Sequence, residues 1–150
     1  MESRLSSSLG EGSPSNEAPT FQARTVSNIS EIKPKEWDTC AGTRNPFVSH
    51  TFLHALEESG SCTSQTGWLP QHILLEQKDG DLLGAIPLYL KNHSQGEYVF
   101  DHTWANAYYN AGGKYYPKIQ SSIPYTPVTG NRILINKKIK NELILTIISE

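Results

Sequence analysis

Cysteine is scarce in this 150-residue chain: Cys40 and Cys62 are its only two, and they form neither a CxxC unit nor a disulfide framework. Two free thiols in a reducing compartment follow, which gives a cytoplasmic expectation with an organelle left open. No apolar run approaches the roughly 20 residues that a membrane-spanning helix requires, so no span is expected. Nothing at the N-terminus resembles a signal peptide, and the triplets Asn28-Ile29-Ser30 and Asn92-His93-Ser94 are therefore not expected to be glycosylated. An excess of basic residues is also missing. The net charge is −2 and the pI is near 6.2, which gives little support to phosphate neutralisation, and no DNA partner is expected. No GxSxG elbow, Walker loop or GxGxxG occurs, so no glycine-rich phosphate cradle is visible. There is no internal repeat. His50 and His54 stand four apart, a metal-ligand spacing, but the glutamate of HExxH and a third ligand are lacking. Two surface histidines and no metal site are the expectation there. His72 and His93 flank strands and take no site role.

What is present divides into a tail and a domain. Residues 1–20 are crowded with serine, glycine and proline, and only Met1, Leu5 and Leu9 are large and apolar. Ordering them would bury too little to offset the lost entropy, so a disordered Ser-rich tail is expected. Residues 21–150 carry ordinary patterning. Phe21 to Ile29 reads as an edge strand. Pro34 suits the first position of a short helix with Trp37, Cys40 and Ala41 on one side and Gly42 as its stop. Ser49 caps a helix from about His50 to Ser59, with Val48 and Leu53 placed as a hydrophobic staple. Phe52, Leu53 and Leu56 make its buried stripe, and Glu57 and Glu58 sit at the unfavourable end of its dipole.

Asp79-Gly80 marks a hairpin between Gln71–Gln77 and Leu82–Lys91. The second strand is apolar on both faces, as in a covered sheet, and Pro87 implies a bulge or a locally unpaired edge. Tyr98 to Phe100 reads as a third strand. A helix follows from Trp104 to Ala111, capped by Asp101 or Thr103. Tyr115–Gln120, Ile123–Val128 and Arg132–Ile135 are strand-like. Asn136–Glu150 has helical spacing of Ile139, Leu143, Ile144, Ile147 and Ile148. Its apolar stripe still runs at Ser149-Glu150 without a cap, so a domain truncated at its C-terminus is expected. The expected fold class is α+β, a mixed, mainly antiparallel sheet with packed helices.

The chemistry-bearing residues concentrate between Gly96 and Gly130. Six of the seven tyrosines lie after residue 97. Rings with polar tips suit a ligand groove, because they combine contact area with hydrogen bonding; they equally suit the rim of a sheet core. Trp104, Tyr108, Tyr115, Tyr116, Lys118, Thr126 and Thr129 are the candidate substrate-binding residues. Asp101-His102 is the candidate catalytic pair, a carboxylate able to orient an imidazole base, although adjacent residues on a strand point to opposite faces and Asp101 equally suits a cap.

The segments Asn45-Pro46-Phe47-Val48-Ser49-His50, Ala55-Leu56-Glu57-Glu58-Ser59-Gly60 and Thr66-Gly67-Trp68-Leu69-Pro70 stand in a fixed order with Gly84-Ala85-Ile86-Pro87-Leu88-Tyr89-Leu90-Lys91 and Gly96-Glu97-Tyr98-Val99-Phe100-Asp101. The runs Ala111-Gly112-Gly113-Lys114-Tyr115-Tyr116-Pro117-Lys118 and Thr126-Pro127-Val128-Thr129-Gly130 complete the series. Together, from roughly Trp37 to Ile135, they resemble the predicted N-acyltransferases termed FemAB-like, often labelled peptidoglycan biosynthesis proteins. That resemblance implies a GNAT-like fold of two halves with donor and acceptor in the cleft between them. It implies transfer of an acyl or aminoacyl group to a small-molecule or peptide amine, with acyl-CoA or aminoacyl-tRNA as donor. It implies that this chain is the N-terminal half, that Asp101, His102 and the substrate-binding candidates line the cleft, and that the chain is inactive without a C-terminal half. A non-catalytic peptide- or glycan-binding module and a truncated gene product are the competing readings.

Overall fold

The computed structural model describes residues 21–77 and 80–137. Within them the fold is α+β, with three α-helices and two antiparallel sheets. The first strand, β1 (Phe21–Val26), takes the sheet edge that the sequence assigns it, pairing antiparallel with β3 (His72–Gln77). At Ile29 the chain turns into a short 3-10 segment, Ile29–Glu31, closed by a capping box between Asn28 and Glu31. Helix α1 (Pro34–Ala41) starts at its proline and stops where Gly42 takes φ +69°, burying Trp37 and Cys40.

Helix α2 (His50–Glu58) is capped as its sequence dictates: Ser49 Oγ accepts from the Phe52 N–H at 3.3 Å. Val48 and Leu53 are both buried, with Phe52 and Leu56 packed against the same core. Two residues of this helix differ from expectation. His50 is not a surface histidine. It is 6% exposed, and its Nε2 lies 3.0 Å from the carbonyl oxygens of both Ile29 and Ile32. A buried imidazole needs such partners, and the 3-10 turn supplies them. Glu57 is not a stray charge at a helix end either. Its carboxylate accepts from the Ile29 N–H at 2.8 Å and from His72 Nε2 at 2.9 Å. His72 is fully buried, T-shaped against Trp37 and Tyr89.

The hairpin β3–β4 forms, with β4 (Leu82–Ile86) interior between β3 and β7 (Leu134–Ile135) and a bulge between Leu75 and Glu76. Pro87 does more than bulge the second strand. It divides it into β4 and β5 (Tyr89–Lys91), which belong to different sheets. Lacking an N–H, Pro87 cannot continue the ladder. The groups beside the break are all satisfied. His72 Nδ1 accepts the Leu88 N–H at 3.1 Å, Gln71 N–H donates to Leu88 O at 2.8 Å, and Ser121 Oγ donates to Pro87 O at 2.8 Å. Because Nδ1 accepts, the His72 proton sits on Nε2, facing Glu57.

The second sheet has the order β2-β5-β6, from β2 (Leu69–Pro70), β5 and β6 (Lys118–Gln120). Tyr98 to Phe100 does not form the expected strand. It is a loop whose three residues are 75%, 76% and 60% exposed, and it pairs with no strand among the described residues. Helix α3 (His102–Asn110) follows. Of the strand expected over Tyr115–Gln120 only β6 remains, Ile123–Val128 is irregular, and Arg132–Ile135 shrinks to β7 (Leu134–Ile135). Pro117, Pro124 and Pro127 each remove a ladder donor, which explains the first two of these changes. The Ser-rich tail lies outside the described residues, as does the last expected helix beyond Lys137.

Candidate functional site

The site grows from one unusual pairing. In the antiparallel ladder of β5 and β6, Lys91 stands opposite Lys118. Two ammonium groups facing each other across a sheet repel, so carboxylates must lie between them. The loop after β5 supplies both. Lys118 Nζ donates to Glu97 Oε2 at 2.8 Å and, in a very short contact, to Asp101 Oδ2. Lys91 Nζ lies 3.8 Å from Glu97 Oε1, donates to Gln95 O at 2.9 Å and sits 3.5 Å above the Trp68 ring.

Asp101 is the hub. Tyr115 OH and Tyr116 OH donate to its two oxygens at 2.8 and 2.9 Å, completing a set of three donors with Lys118. Burial alone would raise this carboxyl. The hydrogen bonds from Lys118, Tyr115 and Tyr116 outweigh burial and hold it down at about 2. Burial pulls the Lys91 ammonium down to about 8, with Glu97 opposing and Lys118 reinforcing. Burial would also lower Lys118, but Asp101 and Glu97 outweigh it and raise that ammonium. The pair therefore separates: one ammonium is raised above its ordinary value, and the other is lowered to about 8. Donating its hydrogen bond to the Asp101 carboxylate raises the Tyr115 phenol, and burial raises Tyr116.

Asp101 occupies the N-cap position of α3, but its side chain makes no capping bond; the carboxylate is wholly engaged by the hub. His102 does not pair with it. Its ring stacks on Phe100 at 5.4 Å and 8°, and Nδ1 lies 3.5 Å from Ser94 Oγ, with the residue exposed. Trp104 is 75% exposed on α3. Tyr108 packs edge-on to Tyr115, with ring centroids 6.1 Å apart, and lies against Gly113. The sequence candidates Asp101, Tyr115, Tyr116 and Lys118 thus converge, with Tyr108 beside them.

Thr126 and Thr129 are elsewhere. Thr126 lines a cleft of ≈ 240 Å³ that also takes in Glu97, Trp68 and Arg132. Its hydroxyl donates to Pro124 O at 3.0 Å. Thr129 is exposed, and its carbonyl faces Asn45 Nδ2 at 3.5 Å. A second hollow, ≈ 430 Å³, runs from Cys40 to Lys137 and holds none of the candidates. Cys40 and Cys62 are buried and unpaired, and burial pushes their thiols up to about 11 and about 12. Among the described residues no group of three or more His, Cys, Asp or Glu side chains converges on a metal site.

Sequence reasoning missed Glu97, Lys91 and Trp68. Lys91 left a signal: it shares the phase of Tyr89 on β5, so a lysine stood at a core position.

The hub is a charged, tyrosine-rich cluster on an α+β domain. A family model described as FemAB-like, peptidoglycan biosynthesis/recognition, matches residues 28–150, and the chain belongs to that family. Comparisons with curated proteins and with solved structures gave no match. Among the described residues no helix is long and apolar enough to cross a membrane.

Proposed function

We propose that this chain is the N-terminal half of a GNAT-like N-acyltransferase, which moves an acyl or aminoacyl group onto an amine, with acyl-CoA or aminoacyl-tRNA as donor. The observation that carries the reading is the Asp101 hub, in a chain whose family concerns peptidoglycan biosynthesis or recognition. Acyl transfer to an amine needs a base for the amine proton and donors for the oxyanion of the tetrahedral intermediate. The exposed His102 imidazole at the head of α3 is the base. Lys118 spends two of its three N–H bonds on Glu97 and Asp101 and keeps one for a developing oxyanion. Asp101 is a positioning group that fixes Lys118 and both phenols. The amides beside Pro87 are not available for the oxyanion, since the Leu88 N–H is bound to His72. The second half, on the same or another polypeptide, closes the cleft and holds the donor.

The exposed Tyr98, Phe100, Trp104 and Tyr108 favour a second reading, in which this surface binds a peptide or glycan without catalysis. One experiment separates the two. In a protein of the family that contains this segment and both halves, amine acylation is followed by mass spectrometry in wild type, His102→Ala and Asp101→Asn. Loss of the base lowers turnover by about 10²–10⁴ fold. Unchanged turnover in both variants removes the two residues from catalysis and leaves the binding reading.

A further inference from the structure

Two residues that line the cleft beside the hub each carry a buried polar atom without a hydrogen-bond partner. Glu97 has a side chain only 5% exposed; its Oε2 is taken by Lys118, and its Oε1 accepts no hydrogen bond. Lys91 Nζ stands 3.8 Å from Oε1 and gives its hydrogen bond to Gln95 O instead. The Trp68 indole N–H is the second such atom, and both residues line the same ≈ 240 Å³ cleft. A buried carboxylate oxygen without a donor and a buried N–H without an acceptor each cost about 1–3 kcal/mol unless something fills them. Arg132 also lines the cleft. Its guanidinium is bonded to the carbonyl oxygens of Val128, Gly130 and Asn131, with no carboxylate partner among the described residues. The cleft therefore offers an anionic acceptor and an uncompensated cation in a space suited to a small molecule.

We propose that this cleft binds an α-amino acid, or the amino-acid end of a larger acceptor, as a zwitterion: its ammonium group on Glu97 Oε1 and its carboxylate on Arg132. The Gln120 and Ser122 side chains, joined by a 2.9 Å hydrogen bond, present further polar atoms along the same wall. This deepens the acyl-transfer reading, and rests on it, by naming the acceptor class. The binding itself requires no donor and no turnover, so it stands or falls separately from catalysis.

The test is titration of the full chain with three probes: glycine, glycinamide, which lacks the carboxylate, and N-acetylglycine, which lacks the ammonium. Calorimetry gives affinity, and the Trp68 indole N–H resonance, assigned with Trp68→Phe, reports occupancy of this cleft. Glycine is expected to bind and move that resonance, with both blocked probes weaker by about tenfold or more, the loss of one charge-assisted hydrogen bond. Arg132→Gln, on the half-exposed rim, should bring glycine and glycinamide to equal affinity while the dispersed indole signals show the fold intact. Glu97→Gln should do the same for glycine and N-acetylglycine. Equal binding of either blocked probe by the wild-type chain overturns the proposal, and so does the absence of saturable glycine binding at millimolar concentration. A preference for glycine over glycinamide that survives in Arg132→Gln overturns the assignment to Arg132.

Discussion

Lys91 and Lys118 face each other on neighbouring strands yet shift in opposite directions: burial lowers Lys91, while Asp101 and Glu97 outweigh burial and raise Lys118. The Asp101 carboxyl is held at about 2, against an ordinary 3.8. A depressed carboxyl contributes stability above its unfolded value and loses it as pH falls through the folded one. Asp101→Asn is therefore expected to lower the unfolding free energy by about 1–2 kcal/mol at pH 7, measured by urea denaturation. The gap between wild type and variant should hold down to about pH 4 and close as the pH approaches 2. A gap that stays open at the acid end would refute the assignment. Lys91 is also depressed, so stability again rises with pH, but at neutral pH its contribution is a cost. Its ammonium is lowered from 10.5 to about 8, so its burial penalty fades and stability from this residue rises as pH climbs from about 8 to 10.5. Carbon-13 NMR of the Lys91 side chain should show a midpoint near 8, distinct from the exposed lysines. At this scale the sequence showed Asp101, Tyr115, Tyr116 and Lys118 as candidates, because polar aromatics beside charge are conspicuous. It could not show Glu97 or Trp68, since their roles depend on which strand Lys91 meets, a long-range fact.

The elements whose signals are local were legible. Pro34, Gly42 and Ser49 set helix ends by their own stereochemistry, and α1, α2 and the β3–β4 hairpin lie where those residues put them. Elements that need a partner were not legible. Tyr98 to Phe100 has strand composition but pairs with no strand among the described residues, and the chain changes sheets at Pro87, which has no N–H to continue the ladder, while His72 accepts the next N–H. Glu57 joins three elements in one carboxylate: α2, the Ile29 turn and β3. Glu57→Ala orphans two buried donors, and the expected loss is about 2–4 kcal/mol by chemical denaturation. Ser49→Ala, which removes the α2 cap and the exposed Ser49 Oγ bond to Pro46 O, should cost about 1 kcal/mol. Equal losses would mean that Glu57 is not the tie described. Gly96 is a third point of control. Its φ is +77°, and a Cβ there would lie 2.4 Å from the Tyr125 ring and 2.7 Å from the Trp68 indole nitrogen. Gly96→Ala should therefore destabilise the chain by about 1 kcal/mol or more and shift the Trp68 indole resonance, because the neighbours that must move form the wall behind Glu97.

Across the whole molecule the two sheets divide the work. The four-stranded sheet with α1 and α2 carries the main apolar core around Trp37, Leu53 and Leu74. The smaller sheet carries the charged hub, with α3 and the exposed aromatic loop beside it. A rigid base under a polar, irregular cluster is how ligand sites are commonly supported. The α+β class and membership in the FemAB-like family match what sequence pattern and resemblance imply, because motif order survives where strand boundaries do not. The central claim is that the Asp101 hub positions Lys118 for acyl transfer to an amine. Single-turnover amine acylation by a two-half protein of the family, comparing Asp101→Asn with wild type at equal folded fraction, tests it most directly. The account predicts that the acylation rate falls by about 10² fold or more. An N-acylated product formed at the wild-type rate by Asp101→Asn would contradict it.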